Sequence, residues 1–256
     1  MSKAVAIVTG ASSGIGRATA VRLSRDFSAV VLAARGAAPL GEVAEEVEAN
    51  GAEALAIDLD LLAPTAAETV IGRTLAEFGR IDALLNIAGA VPGIDLFQMT
   101  DEQWNTGMEL KLHAARRLTL RAWDALKAAK GAVVLIAGNT AEVPTASAAA
   151  VGVINAAIVA LAKAFADRGL KDGIQVNSLS PGPVMTGRRL SMIEKWAAVH
   201  EVSLDEAKQR LLTQAGISRY GEPEDIAELM AFLVSPAARW MTGAQLRIDG
   251  GEVKSI

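Results

Sequence analysis

A glycine-rich stretch between Ala4 and Ser24 has the residue types and the spacing of an anion-binding site. Gly10, Gly14 and Gly16 follow a short apolar run and open a segment with the pattern of an amphipathic helix. Because glycine has no Cβ, the turn can be tight and its backbone can approach a phosphate closely. The first N–H groups of the helix, at the positive end of its dipole, have no partners within the helix. The stretch therefore predicts a pyrophosphate site, and a glycine turn without a ligand is the alternative.

Arg35 follows the apolar run of residues 29–34 and bears on which nicotinamide dinucleotide is bound. An acidic side chain at this position binds the adenosine ribose hydroxyls of NAD, whereas an arginine can hold the 2′-phosphate of NADP. Gly36 and Ala37 offer no competing carboxylate. The sequence thus favours NADP(H) over NAD(H), unless Arg35 is simply a solvated residue at a strand end.

The glycine spacing resembles that of the short-chain dehydrogenase/reductase family. The segment Thr9-Gly-Ala-Ser-Ser-Gly-Ile-Gly differs from the general dinucleotide fingerprint. Further segments that begin at Asn86, Pro181 and Gly221 are also similar to the family, so the resemblance covers the whole chain. Ile87 stands where the family usually has a second asparagine.

The resemblance implies a nicotinamide cofactor at the carboxyl ends of the strands. Asp58 and Leu59 would flank the adenine, although Asp58 could also simply cap a loop. The Val184 backbone and the Thr186 hydroxyl would meet the nicotinamide carboxamide. The implied cofactor-binding residues are Gly10, Ser12, Ser13, Gly14, Ile15, Gly16, Arg35, Asp58, Leu59, Asn86, Ala88, Gly89, Pro181, Gly182, Val184 and Thr186.

Members of this family usually interconvert carbonyls and alcohols with a tyrosine, a lysine, a serine and an asparagine. The lysine is needed because a free tyrosine has a pKa near 10, roughly three units too high for a base at neutral pH. By the landmarks of this chain, the tyrosine and lysine positions hold Val151 and Asn155, and the serine and asparagine positions hold Gly138 and Lys111. The resemblance therefore implies a cofactor-binding protein in which all four usual residues are replaced.

A shifted alignment cannot restore the tyrosine, because the chain contains one tyrosine, Tyr220, in the segment Arg-Tyr-Gly-Glu-Pro. Lys163 follows Asn155 by eight residues, about 12 Å along a helix and off its face, so we expect a surface lysine. We expect His113 and His200 to be structural or exposed. No cluster of histidine, carboxylate or cysteine predicts a metal site.

Four weaker candidates for catalysis remain. Lys111 can restore a positive charge from the opposite wall of the pocket, unless it is a solvated lysine on a polar helix face. Asn155 can bond the nicotinamide ribose but cannot lower a pKa as a cation does. Asn139 and Glu142 follow the fifth strand, and Glu142 is a possible general base, although a loop glutamate is more often solvated.

The composition indicates one α/β domain. The chain has 256 residues, of which 51% are hydrophobic and 21% charged, enough for a core on both faces of a sheet. Its net charge of −4 gives no reason to expect nucleic acid or an anionic membrane as a partner, and no cysteine is present. A first strand from Ala4 leaves no room for a signal peptide, and we predict no membrane-spanning run and a cytoplasmic protein.

Alternating patterns predict a Rossmann-like, doubly wound parallel sheet of about seven strands, in one domain over residues 1–256. We predict further strands at 29–34, 53–57, 82–85, 133–136 and 174–179, and helices at 39–49, from Pro64, at 101–129 and at 146–167. Thr100 and Gln103 are spaced as a capping box, as are Ser203 and Glu206. Residues 187–219 are a polar insertion with the position of a substrate lid.

Three functions are compatible with these patterns. The favoured one is an NADP(H)-dependent oxidoreductase acting on a small carbonyl or alcohol, because the cofactor segments are nearly complete. The alternatives are a non-redox lyase or isomerase in the same pocket, and a catalytically inactive cofactor-binding partner subunit. The alanine-rich helix at 146–167 is compatible with a subunit interface, so we expect a homo-oligomer, dimer or tetramer, or pairing with an active relative.

Overall fold

A computed structural model describes residues 4–255 of the protein. These residues contain a seven-stranded parallel sheet. Its strands are β1 (Val5–Thr9), β2 (Ala29–Ala34), β3 (Glu53–Asp58), β4 (Ala83–Asn86), β5 (Ala132–Ile136), β6 (Gln175–Pro181) and β7 (Gln245–Ile248). They lie in the order β3-β2-β1-β4-β5-β6-β7. The order reverses beside β1, where doubly wound sheets leave a crevice for ligands. The predicted fold class is confirmed.

Helices cover both faces of this sheet. Those of the described residues are α1 (Gly14–Leu23), α2 (Ala37–Ala49), α3 (Ala66–Phe78), α4 (Asp101–Gly107), α5 (Ala114–Ala129), α6 (Ala149–Asp172), α7 (Gly187–His200), α8 (Leu204–Ala215) and α9 (Pro223–Val234). α1, α2 and α9 pack on one face, and α3, α5 and α6 on the other. β1, β2 and β5 are buried along their whole length, which explains their uninterrupted apolar sequences.

The helix predicted over residues 101–129 is interrupted by a wider turn. The capping box of Thr100 and Gln103 is present at its start. Between α4 and α5, residues Met108–His113 form a π-helical segment, a rare form that is found mostly at functional sites. This segment carries Lys111.

The prediction that Pro64 opens a helix is wrong. α3 begins at Ala66, and Thr65 is its N-cap residue. The preceding residues form turns, in which the Asp60 side chain accepts from the Leu62 amide and the Ala63 carbonyl accepts from the Ala66 amide, both at 3.0 Å.

The prediction that no segment has the length and composition of a membrane span is also wrong. Residues 146–172 contain an 18-residue window with a mean hydropathy of 1.9. In this structure the segment is a 3₁₀ turn followed by α6, which packs on the sheet beside β5 and β6. A core helix of this kind passes the same test by composition, so the finding is weak evidence for a membrane span.

The insertion at 187–219 forms α7 and α8, which pack against each other around Ile193, Ala197, Ala207 and Tyr220. The second predicted capping box is only half formed, since Ser203 accepts from the Glu206 amide without the reciprocal bond. The insertion thus has a small apolar core of its own.

Candidate active site

The glycine turn lies between β1 and α1, at the carboxyl end of β1. Gly10 and Gly14 have φ angles of +69° and +52°, which side chains disfavour. A Cβ on Gly10 would lie 3.0 Å from the Ala88 Cα, and one on Gly16 would overlap the Gly10 carbonyl group. The turn therefore depends on glycine for its conformation and for its packing.

Thr9 joins the end of β1 to the end of β4. Its hydroxyl donates to the Leu85 carbonyl at 3.3 Å and accepts from the amides of Ile87 and Ala88 at 2.9 and 3.0 Å. These bonds fix the segment after β4 beside the glycine turn. Asn86, at the end of β4, is buried, and its Oδ1 has no hydrogen-bond partner among the described residues.

The residues of this crevice fit a nicotinamide dinucleotide. Ser13 makes no side-chain cap to α1, and the first turn of that helix has no acidic residue, so its amide groups remain available for an anion. The Arg35 side chain is 73% exposed and has one distant ionic contact, 3.8 Å from Asp60. A 2′-phosphate can therefore reach its guanidinium. Asp58 accepts from the Gly36 amide at 2.8 Å, and its role at the adenine stays a prediction.

The 187–219 insertion begins next to the glycine turn, and its role as a substrate lid stays a prediction. Thr186 is the N-cap of α7 and accepts from the Arg189 amide at 3.2 Å. A Cβ on Gly14 would lie 3.0 Å from the Thr186 Cγ2. Val184 pairs with Gly221 in an isolated parallel bridge that fixes the segment after β6. The contacts of Val184 and Thr186 with a nicotinamide stay predictions.

Lys111 points into the crevice. Its Nζ donates to the Asn155 Oδ1 at 2.5 Å and to the Ala137 carbonyl at 2.9 Å. Burial lowers the pKa of Lys111, the positive charge of Arg188 lowers it as a smaller second cause, and together they bring it to about 7. The ammonium thus has two neutral acceptors, and the solvated surface lysine considered from the sequence is not what the fold produces.

Asn155 and Gly138 fit together at the carboxyl end of β5. The Asn155 Nδ2 donates to the Thr140 hydroxyl at 2.8 Å. A Cβ on Gly138 would lie only 2.6 Å from that Nδ2, so the amide fills the space that a larger residue at 138 would need. Lys111 likewise packs against Gly89, where a Cβ would be 3.0 Å from its Cγ and Cδ. Each of the two glycines thus leaves the space that a larger neighbouring side chain fills.

Val151 presents an apolar side chain beside these polar groups. It packs against the buried cluster of Val91, Ala150 and Ile154. The chain's one tyrosine lies elsewhere: the Tyr220 hydroxyl donates to the Lys208 carbonyl at 3.2 Å, within the α7–α8 insertion.

Asn139 and Glu142 face away from Lys111. The Asn139 amide donates to Glu252, and Glu142 pairs with Arg247 and accepts from Gln245. Burial raises the pKa of the Glu252 carboxyl. The structure thus brings Lys111 and Asn155 together but ties the other two candidates to the C-terminal segment.

The remaining polar residues considered from the sequence lie outside this pocket. Lys163 donates to the Gly243 carbonyl at 3.2 Å in an exposed contact. His200 stacks on Trp196 with ring centroids 3.7 Å apart. His113 is half-buried, and its Nδ1 has no partner within residues 4–255. In the same range no group of three histidine or carboxylate side chains is placed to hold a metal.

Two contributors to the pocket, Arg188 and Thr140, could be given no specific role from the sequence. Arg188 donates to the carbonyls of Gly89 and Val91 at 3.4 and 2.7 Å, and so connects the start of α7 to the segment after β4. Thr140 contacts Asn155, 15 residues away. Neither contact has a sequence signal, because both depend on where separate loops meet.

Comparisons with known proteins agree with this architecture. Residues 10–252 match a family model described as enoyl-(acyl carrier protein) reductase. The chain is 32% identical over 250 residues to a putative ketoacyl reductase of Streptomyces coelicolor, covering 96% of each protein.

Solved structures are also similar. L-sorbose reductase from Gluconobacter frateurii, determined with NADPH and L-sorbose, superposes with a TM-score of 0.95 and 29% identity over 100% of this chain and 98% of that one. A short-chain dehydrogenase/reductase from Serratia marcescens gives a TM-score of 0.86 and 30% identity, over 97% of each chain. With a family model matched over nearly its whole length, this chain belongs to the short-chain dehydrogenase/reductase family.

Proposed function

We propose that the protein is an NADP(H)-dependent oxidoreductase that interconverts a small carbonyl compound and its alcohol. Its family membership, the NADPH-bound sorbose reductase of the same fold and the ketoacyl reductase relative support the reaction class. The open first turn of α1 and the accessible Arg35 support the phosphorylated cofactor. Within this proposal, the family's usual tyrosine, lysine, serine and asparagine are replaced.

NADPH, when bound, supplies the hydride that reduces the carbonyl carbon. The protein must then bind the carbonyl oxygen and provide a proton as that oxygen gains negative charge. Val151 has no proton to give. We assign the proton to the Lys111 ammonium: the N–H bond breaks, an O–H bond forms on the alcohol, and the neutral amine regains a proton from solvent.

The charge state of Lys111 suits this role. A lysine with a pKa of about 7 is a stronger acid than an ordinary lysine and still carries its proton in part at neutral pH. Two of its three N–H groups are taken by Ala137 and Asn155, which leaves one to donate. The observation that carries the proposal is this placement of Nζ at the carboxyl end of β5, beside the positions where the family has its serine and lysine.

The experiment combines calorimetric titration with a turnover assay. We expect NADPH and NADP⁺ to bind more tightly than NADH, and Arg35→Ala to remove most of that preference. We then expect slow NADPH consumption with at least one of cyclohexanone, acetophenone, ethyl 3-oxobutanoate and L-sorbose. Lys111→Met should lower kcat/KM by about 100-fold or more, a typical cost of losing a proton donor. Lys163→Met, on the exposed side of α6, is the matched control and should leave turnover unchanged.

Other results would redirect the assignment. Absence of nucleotide binding would leave the glycine turn without a ligand. Binding without turnover would favour a partner subunit. Conversion of a substrate with no net change at the nicotinamide would favour a lyase or isomerase.

We further expect a homo-oligomer. Leu120 on α5 and Val153 on α6 are 53% and 48% exposed in the single chain, and an apolar helix surface of this kind is typical of a subunit contact. Light scattering of the purified protein tests this expectation, and a monomer at micromolar concentration would contradict it.

A further inference from the structure

The Thr140 hydroxyl stands out in the pocket because it accepts one hydrogen bond and donates none. It lies in the 3₁₀ turn Asn139–Ala141, directly after β5, and is half-buried. Its Oγ1 accepts from the Asn155 Nδ2 at 2.8 Å. Among the hydrogen bonds of residues 4–255, none is donated by this hydroxyl.

The direction of that hydrogen bond follows from Lys111. An ammonium group can only donate, so the Asn155 atom 2.5 Å from Nζ must be the amide oxygen. The other end of the same amide is then the NH₂ group, which can only donate to Thr140. Thr140 is therefore the acceptor in this contact. Its hydroxyl proton remains free to bond a ligand in the pocket.

We propose that Thr140 is a catalytic residue that donates this proton in a hydrogen bond to the substrate's carbonyl oxygen. Asn155 is the positioning residue that turns the hydroxyl, and Lys111 fixes the orientation of the Asn155 amide. The assignment rests on the proposed function, in that the ligand is taken to be a carbonyl compound or its alcohol. It gives the pocket an oxygen-binding hydroxyl, although position 138 holds a glycine.

The role of Thr140 is electrostatic, and the hydroxyl keeps its proton throughout. A hydrogen bond to the carbonyl oxygen strengthens as hydride transfer makes that oxygen negative, so it stabilises the transition state more than the ground state. The proton of the product alcohol still comes from Lys111. Thr140 and Lys111 are held at the two ends of one amide, which keeps both donors in the same pocket.

The test compares Thr140→Val, which keeps the shape and loses the hydroxyl, with Thr140→Ser, which keeps the hydroxyl. We expect Thr140→Val to lower kcat/KM by about 100-fold, as is typical for the loss of one oxyanion donor. Thr140→Ser should recover most of the activity that Thr140→Val loses, because it restores the hydroxyl. Both variants should bind NADPH normally and unfold at similar temperatures, which separates the loss from misfolding.

A second measurement does not depend on turnover. Cyclohexanone, acetophenone and ethyl 3-oxobutanoate are each added to the protein with NADP⁺, which cannot reduce them, and the infrared C=O band of the bound ketone is recorded. We expect a shift to lower frequency in the wild type and Thr140→Ser, and a smaller shift in Thr140→Val.

The two measurements separate the two proposals. A hydroxyl-dependent band shift without NADPH consumption would support Thr140 while the proposed redox function fails. Full activity of Thr140→Val, or a band shift equal in all variants, would overturn the role of Thr140 and leave the redox function standing. If no ketone shows a shift in the wild type, the Thr140 proposal is also overturned.

Discussion

The two halves of the crevice are built on different principles. The cofactor side, from β1 to β4, uses backbone groups and glycine, and Gly10, Gly14 and Gly16 stand at the spacing of the family. The opposite side, around β5 and α6, uses side chains that contact one another: Lys111, Asn155 and Thr140 form one hydrogen-bonded chain. By the alignment that the resemblance implies, Lys111 and Asn155 stand at the family's asparagine and lysine positions, and Thr140 lies outside its four usual positions.

The difference shows that a site built from backbone groups and a site built from side chains constrain the sequence in different ways. In a site built from backbone groups, steric constraints require glycine at particular positions. Such a site can therefore be recognised from the residue types in the sequence. A site made of side chains depends instead on how they pack together, as the Asn155 amide fits against Gly138 and the Lys111 stem fits against Gly89. Under the proposed function the side around β5 and α6 is the reaction side, and it is one packed, hydrogen-bonded arrangement.

The largest effect is expected on the cofactor side. Gly16→Val places a side chain onto the Gly10 carbonyl, so the turn must open. We expect at least about a 100-fold loss of NADPH affinity by calorimetry, as when phosphate-contacting backbone is displaced. Gly72→Ala is the control, because no atom lies within 4 Å of its Cβ on α3, and it should raise stability by about 0.5–1 kcal/mol. Normal binding by Gly16→Val would show that the turn is not the cofactor site.

On the reaction side, the matched packing can be tested by a double-mutant cycle. Gly138→Ser should cost about 1–3 kcal/mol of unfolding free energy, because the Asn155 amide must leave its bonds to Lys111 and Thr140. In an Asn155→Ala background the same change should cost less by about 0.5 kcal/mol or more. Urea unfolding of the four proteins measures the coupling. Strictly additive costs would mean that the two positions are independent.

Lys111 should give stability a pH dependence. Its folded pKa of about 7 lies below the ordinary lysine value of 10.5, so between these values the unfolded chain binds more protons than the folded one. The free energy of unfolding should therefore rise with pH across this window, by at most about 1.4 kcal/mol per pH unit. Lys111→Met should be more stable than the wild type near pH 7, with the difference shrinking toward pH 10.5. Parallel denaturation curves at all pH values would contradict the buried ammonium.

The smallest effect is expected at Glu142. It pairs with Arg247, and each side chain is 27% exposed, so Glu142→Gln should cost about 1 kcal/mol or less. We expect kcat/KM within about twofold of the wild type, because this carboxylate does not face Lys111. A tenfold or greater loss in the NADPH assay would restore Glu142 as a general base and extend the reaction side toward the C-terminal segment.

The sequence predicted the fold class and most strand limits well, since buried parallel strands such as β2 read as continuous apolar runs. It placed the start of α3 two residues early, because proline also fits the turn that precedes a helix and residue type does not separate the two positions. It predicted one helix over 101–129 because helical periodicity hardly distinguishes a π turn from an α turn. Lys111 was a candidate by alignment alone, and Thr140 had no assigned role.

By itself, the sequence determined the alternating architecture, the glycine turn, the arginine after β2 and the absence of any tyrosine near residue 151. These features are local: each depends on residue type and on spacing of a few positions. Only the tertiary structure decided that Lys111 turns inward, that its ammonium meets Asn155 44 residues away, and that Glu142 is held by Arg247. The physical reason is that the direction and the partner of a charged side chain depend on which acceptors the fold brings within its reach. The periodicity of the sequence carries no information about those long-range partners.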